Sequence, residues 1–181
     1  MNRCFVDRNC SRCGGVFIGP KIVYDIFNCH TMIIGQNPSP IENNQYLKGI
    51  AFQDVDDNFS CIIIDECIKD FTGIYLTNLA KCAVKGKPSD NDIKICIDNY
   101  LTDEIDFVGP QLIICLGRLA EKWVRPIVDT NKIDVLYYKH PGYFKRNNTE
   151  ISEIIDYYAD MVYNISEAEK RHQKLMGDNN E

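Results

Sequence analysis

The chain has 181 residues, 45% of them hydrophobic, enough for one well-cored domain and too few for two ordinary ones. No apolar run approaches the roughly 20 residues of a membrane helix, and Met1-Asn2-Arg3-Cys4 leads into polar sequence without a signal peptide, so a cytoplasmic, monomeric chain is expected. The formal net charge of −6 counts against a broadly phosphate-binding surface, although a local basic face can sit on an acidic protein.

In chain order, Thr31 to Ile34 reads as a buried strand ending at Gly35. Phe59 to Phe71 reads as a helix, with strand ambiguity at Cys61-Ile62-Ile63-Ile64, and Ile74 to Thr77 as a second strand. Pro88-Ser89-Asp90 opens a helix to about Phe107, with Ser89 or Asp90 as N-cap. Gln111 to Leu116 is a third strand, and Gly117 turns the chain into a short helix through Trp123. Asp134 to Tyr138 is a fourth strand. A last helix runs from about Glu150 to Lys174 with an apolar stripe of Ile151, Ile154, Ile155, Tyr158, Met161, Val162 and Ile165, and a polar tail follows from about residue 171. This alternation predicts one α/β domain over residues 1–181. It is a three-layer α/β/α sandwich around a mostly parallel four-stranded sheet. Ligands bind such sheets beyond the carboxyl ends of the strands. Here each strand runs into a distinctive segment: Gln36-Asn37-Pro38, Asn78, Gly117-Arg118 and His140-Pro141.

These segments have usable chemistry and also ordinary explanations. Gly35-Gln36-Asn37-Pro38-Ser39-Pro40 offers two amides that orient a water or a polar ligand, or is a plain strand-to-loop turn. Asn78 carries a donor and an acceptor that match a pyrimidine edge, or it satisfies its own turn. His140 is placed to donate to a developing negative charge. Tyr143 and Phe144, read as lying in a loop beside Lys145 and Arg146, suit a wedge that opens a base stack, or they tuck onto the core.

Nine cysteines, an odd number without an export signal, favour thiols and a metal site over disulfides. Cys10-Ser11-Arg12-Cys13 is a C-x2-C pair, and Cys82 and Cys96 lie far downstream. Four thiolates suit zinc and an iron–sulfur cluster equally by ligand type. Cys4, Cys29, Cys61, Cys67 and Cys115 sit in or near apolar runs and read as small core residues.

Taken in order, Gly-x-x-Pro, Thr-Asn-Leu-x-Lys-Cys, Leu-Gly-Arg, His-Pro-x-Tyr-x-x-Arg and the cysteine pattern resemble the iron–sulfur (family 4) uracil-DNA glycosylases from about Cys10 to Tyr158. The resemblance implies a 4Fe–4S cluster on Cys10, Cys13, Cys82 and Cys96, with zinc as the lesser occupant. It implies base-edge reading by Asn78, stacking by Phe52 in Gly49-Ile50-Ala51-Phe52, and a substrate ledge at Gly35 and Pro38. It assigns His140 to the leaving base and Ser39, Arg118, Tyr143, Phe144, Lys145 and Arg146 to the DNA. Where family members carry an acidic residue this chain has Gln36, and Gln-Asn-Pro is closer to the Asn-Pro of the mismatch-specific branch. Asn37 is therefore the preferred water-positioning residue and Gln36 the second.

The implied reaction is monofunctional hydrolysis of the N-glycosidic bond of uracil or a related deaminated base. The base would be flipped from single- or double-stranded DNA in base excision repair. The alternatives are the same fold acting on a modified base in foreign DNA, an inactive nucleic-acid-binding homologue, and a zinc-stabilised interaction protein. Lys81, Lys85, Lys87, Arg118, Lys122, Lys139, Lys145 and Arg146 are expected to gather near the strand ends and offset the acidity locally.

Overall fold

The structure, a computed structural model, describes residues 16–17, 21–23, 28–38, 59–83 and 87–177. Seven strands and six α-helices are formed by these residues: β1 (Val16–Phe17), β2 (Lys21–Val23), β3 (Thr31–Gly35), α1 (Phe59–Ile68), β4 (Ile74–Asn78), β5 (Cys82–Ala83), α2 (Asp90–Cys96), α3 (Thr102–Val108), β6 (Leu112–Leu116), α4 (Arg118–Val124), β7 (Asp134–Tyr138), α5 (Pro141–Arg146) and α6 (Ile151–Gly177). A π-helical turn, Ile97–Leu101, joins α2 to α3.

The central sheet has five strands in the order β2-β4-β3-β6-β7 rather than the four expected. The extra strand is β2, three residues long and antiparallel to β4, with Ile22 opposite Tyr75. It is too short for a periodic signal, and its edge position needs no second apolar face. The other four strands are parallel. A separate two-stranded ribbon pairs β1 with β5, placing Phe17 opposite Cys82.

β3, β4 and β6 are buried along their whole length, as parallel strands covered on both faces must be. Their side chains alternate between two cores. Ile33, Leu76, Leu112, Ile114 and Leu116 face α1, α5 and α6, whereas Met32, Ile34, Tyr75, Ile113 and Cys115 face α2, the π turn, α3 and α4. At roughly 1.5–3 kcal/mol for each fully buried large aliphatic side chain, these two layers dominate the stabilisation.

The ambiguous run in α1 is helical. Cys61, Ile63, Ile64, Cys67 and Ile68 are buried at helical spacing while Ile62 is exposed. A strand would have placed Ile62 and Ile64 on the same face. On α6 the stripe is buried at Ile154, Tyr158, Met161, Ile165 and Ala168. Ile151 stays exposed in the first turn. Cys29, Cys61, Cys67 and Cys115 are buried, as expected of core cysteines. Burial pushes the Cys67 thiol up to about 11 and the Cys115 thiol up to about 12. Cys4 lies outside the described residues.

From β3 the chain steps to β4 on one side, then crosses to β6 and β7 on the other. The winding direction reverses at β3, so the carboxyl end of β3 is where a ligand crevice is expected.

Candidate active site

Two backbone bonds lock the end of β3 to the turn after β4. Leu79 N–H donates to Gly35 O (2.9 Å) and Ala80 N–H to Gln36 O (3.0 Å). Gly35 and Asn78 are direct partners in the parallel register. Asn78 is 5% exposed. Gln36 Nε2 donates to Asn37 Oδ1 (2.9 Å), and Asn37 Nδ2 donates to Pro38 O (2.9 Å), so the two amides are ordered as a chain. Pro38 is buried. Ser39 and Phe52 lie outside the described residues.

On the other side of the crevice, Gly117 and His140 begin two helices. Gly117 has φ 102°, a conformation that favours glycine, and its N–H donates to Tyr138 O (2.8 Å). This joins the ends of β6 and β7. His140 is the N-cap of α5, and the N–H of Gly142 donates to its Nδ1 (3.1 Å). An accepting Nδ1 puts the proton of the neutral ring on Nε2. Burial, followed by the nearby Arg146 charge, pushes the imidazole down to about 4. A Cβ on residue 142 would sit 3.2 Å from Nδ1, so glycine keeps the ring in place.

The backbone carrying His140 is held from α6. Tyr157 Oη accepts from Lys139 N–H (3.0 Å), and Tyr158 Oη donates to Lys139 O. Burial raises the Tyr158 pKa, which keeps its hydroxyl a donor. The apolar stripe of α6 was legible in the sequence. That two of its tyrosines aim the turn before His140 was not, because it depends on where the helix crosses β7.

A cleft of about 230 Å³ opens between these elements, lined by Gln36, Leu116, Gly117, Arg118, Leu119, Tyr137, Lys139, His140, Tyr143 and Arg146. Gln36 lines it; Asn37, the preferred residue of the pair, is not among the described lining residues. Arg118 lies over the Tyr137 ring at 4.0 Å and bonds Glu121 at 2.8 Å. Lys139 lies 4.5 Å over the Tyr143 ring. Three cations, the exposed Tyr143 and the half-buried Tyr137 thus rim a crevice that contains a neutral histidine. Tyr137 escaped the sequence reading because a strand tyrosine carries no signal of its own.

Three expectations need correction. His140 to Arg146 is not a loop, because Pro141 starts the helix α5. Phe144 is 6% exposed and packs on Tyr157 and Tyr158, with ring centroids at 4.9 and 6.1 Å, so it is a core residue and not a DNA wedge. Tyr143, its neighbour, stays exposed. The basic gathering is also smaller than expected. Lys81 is 1% exposed and paired with Glu104, and Lys122 bonds Asp90 at 3.2 Å beside a different groove with Trp123. Lys87 and Lys145 are exposed, Lys145 with its ammonium 5.8 Å over the Phe59 ring. Lys85 lies outside the described residues.

Cys82 and Cys96 are both buried, and the N–H of Lys81 points to Cys96 Sγ (3.5 Å). Phe17, four residues after Cys13 in the sequence, pairs with Cys82. Cys10 and Cys13 lie outside the described residues, and no group of three or more candidate ligands occurs among the described residues. The two buried thiols, one already receiving an amide N–H, fit a soft thiolate-bound group.

The crevice at the switch point brings a neutral imidazole and a cationic rim to the carboxyl ends of a parallel sheet, the place where α/β proteins of this layout bind ligands. Residues 22–161 match the family described as the uracil DNA glycosylase superfamily. The chain belongs to that superfamily. A 58-residue stretch is 31% identical to a type-4 uracil-DNA glycosylase of Archaeoglobus fulgidus. That stretch covers 31% of this chain and 29% of the relative, less than a third of the relative's length. Among the described residues no helix is long and apolar enough to cross a membrane.

Proposed function

We propose that the protein is a monofunctional DNA glycosylase that hydrolyses the N-glycosidic bond of uracil, or of a related deaminated base, after the nucleotide has been flipped out of the stack. The observation that carries this reading is the fixed tautomer of His140. With Gly142 N–H donating to Nδ1 and burial holding the ring neutral, Nε2–H is the donor left to the cleft. When the glycosidic bond breaks, negative charge develops on the base and positive charge on the sugar. A donor that is already oriented stabilises the base anion without reorganising.

Asn78, on the β4 side, reads the base edge through its side-chain amide. Gln36, which lines the cleft and is held by Asn37 Oδ1, orients the attacking water; neither amide is a base at neutral pH, so the water is oriented rather than deprotonated. Arg118, Lys139 and Arg146 take the phosphates on either side of the flipped nucleotide. The residues assigned to the bond-breaking step include no lysine nucleophile, so no Schiff base forms.

Cys82 and Cys96 join Cys10 and Cys13 as ligands of a 4Fe–4S cluster in this reading. When bound, such a cluster supplies a structural staple between the N-terminal segment and β5. The bond from Lys81 N–H to Cys96 Sγ is of the kind that stabilises a thiolate ligand.

The test is a base panel: oligonucleotides carrying uracil, hypoxanthine, mismatched thymine or a modified pyrimidine, each scored for alkali-labile abasic sites. Uracil is expected to be released, and His140→Ala is expected to lower single-turnover release by about 10²–10³-fold. Release of a modified pyrimidine alone transfers the function to foreign DNA. Binding without release of any base identifies an inactive homologue.

A further inference from the structure

Lys81 and Glu104 form an ion pair buried from water on both sides, with Nζ to Oε2 at 2.6 Å and side-chain exposures of 1% and 2%. Thr77, itself 1% exposed, completes it. Its hydroxyl donates to the same Glu104 Oε2 (3.0 Å) and accepts from Lys81 Nζ (2.6 Å). One carboxylate oxygen therefore holds the two residues that flank the turn Asn78-Leu79-Ala80. The opposite side of that turn is fixed to Gly35 and Gln36 by the Leu79 and Ala80 amides.

The π turn makes this possible. Cys96 and Glu104 are eight residues apart, which in an uninterrupted α-helix would separate their side chains by about 80° around the axis. A π turn absorbs one residue, so the two stand as if seven apart, about 20° from one face. Its signature is the Thr102 N–H bonded to Ile97 O, reinforced by Thr102 Oγ1 on the same carbonyl at 3.2 Å. As a result one residue is gripped twice by one helix: Lys81 N–H by Cys96 Sγ and Lys81 Nζ by Glu104 Oε2. An ion pair this deep is a poor source of stability, since its desolvation offsets most of its attraction. Its geometry is specific, however, and it lies between the proposed base reader and a proposed cluster ligand.

We propose that Glu104 is a positioning residue that clasps the Asn78 turn through Thr77 and Lys81, setting the aim of the Asn78 amide and the spacing of Cys82 from Cys96. The proposal rests on the reading of Asn78 as the base reader. Its consequence is that base selection depends on a carboxylate and an ammonium that touch neither base nor sugar.

The experiment compares the wild-type holoprotein with Lys81→Met/Glu104→Leu, which replaces the pair with apolar side chains of similar size and so leaves no lone buried charge. A second variant, Thr77→Val, keeps shape and ion pair and removes one arm of the clasp. Two readouts are taken: hydrogen exchange of the Leu79 and Ala80 amides against those of β6, and single-turnover base release against DNA affinity.

In the double variant the Leu79 and Ala80 amides are expected to exchange at least about tenfold faster while β6 is unchanged. Base release is expected to fall roughly ten- to a hundredfold with DNA affinity altered less than about twofold. Thr77→Val is expected to move both readouts the same way by less. Unchanged exchange at the turn overturns the clasp, and so does an unchanged rate of base release in the double variant when the wild type releases a base. If the double variant does not fold, Thr77→Val decides by the same two readouts. If the wild type releases no base at all, the enzymatic reading fails separately and the exchange result alone decides the clasp.

Discussion

At the scale of single residues, His140 shows how far identity and state diverge. Its place in His-Pro-x-Tyr-x-x-Arg marks it in the sequence, but its charge is set by burial and by Arg146. The folded ring titrates near 4, below the ordinary 6.5, so the Nε2–H donor form persists across neutral and mildly acidic pH. Single-turnover base release is expected to stay level from pH 8 to 5, without a limb near 6.5, and to fall as pH approaches 4. A limb near 6.5 would show a solvated His140 and remove the fixed-donor argument. The same shift enters stability with a definite sign. Between 6.5 and 4 the unfolded chain binds the proton and the folded one does not, so this contribution is present at neutral pH and is lost as pH falls through that window. Phe144 shows the opposite relation. Its side chain suits a wedge or a core equally, and only the helical phase of α5, which turns Phe144 inward and Tyr143 outward, decides between them.

At the scale of elements, boundaries with local chemistry were legible. Ser89 caps α2 as one of the two candidate residues, and it does so in a capping box: Asp92 N–H donates to Ser89 Oγ (3.1 Å) while Asp92 Oδ2 accepts from Ser89 N–H (3.2 Å). Ser89→Ala is expected to cost about 1 kcal/mol in chemical denaturation. Because α2, the π turn and α3 form one continuous rod, that loss should appear in global unfolding and leave base release at neutral pH unchanged. The expected helix from Pro88 to Phe107 agrees with this rod to within a residue or two, yet its π turn was invisible. A π turn is selected by what must face inward at both its ends, here Cys96 and Glu104, and no residue type signals it. β2 was missed for a related reason: three residues at an edge leave no period to read.

For the whole molecule, the crevice exists because β3, β4, β6 and β7 run parallel and end at one level, with the chain reversing its winding at β3. The proposed cluster would act at this scale, since β1 against β5 ties the N-terminal segment to the turn that follows Asn78. Purified protein is expected to be brown, with absorbance near about 400 nm and iron in stoichiometric amount. Removing the iron should lower the melting temperature by roughly 5–10 °C. A colourless protein holding one zinc would replace the cluster with zinc on the same cysteines. Sequence alone determined the alternation of strands and helices, the four segments at the strand ends and the cysteine pattern, because period, turn chemistry and ligand type are local properties of the chain. Tertiary structure decided that Lys81 is buried rather than basic surface, that Gln36 rather than Asn37 lines the cleft, and that Tyr157, Tyr158 and Glu104 aim residues far from them in sequence. Burial and partnership arise only when distant segments pack together, and each of these outcomes is fixed by a neighbour that local sequence does not name.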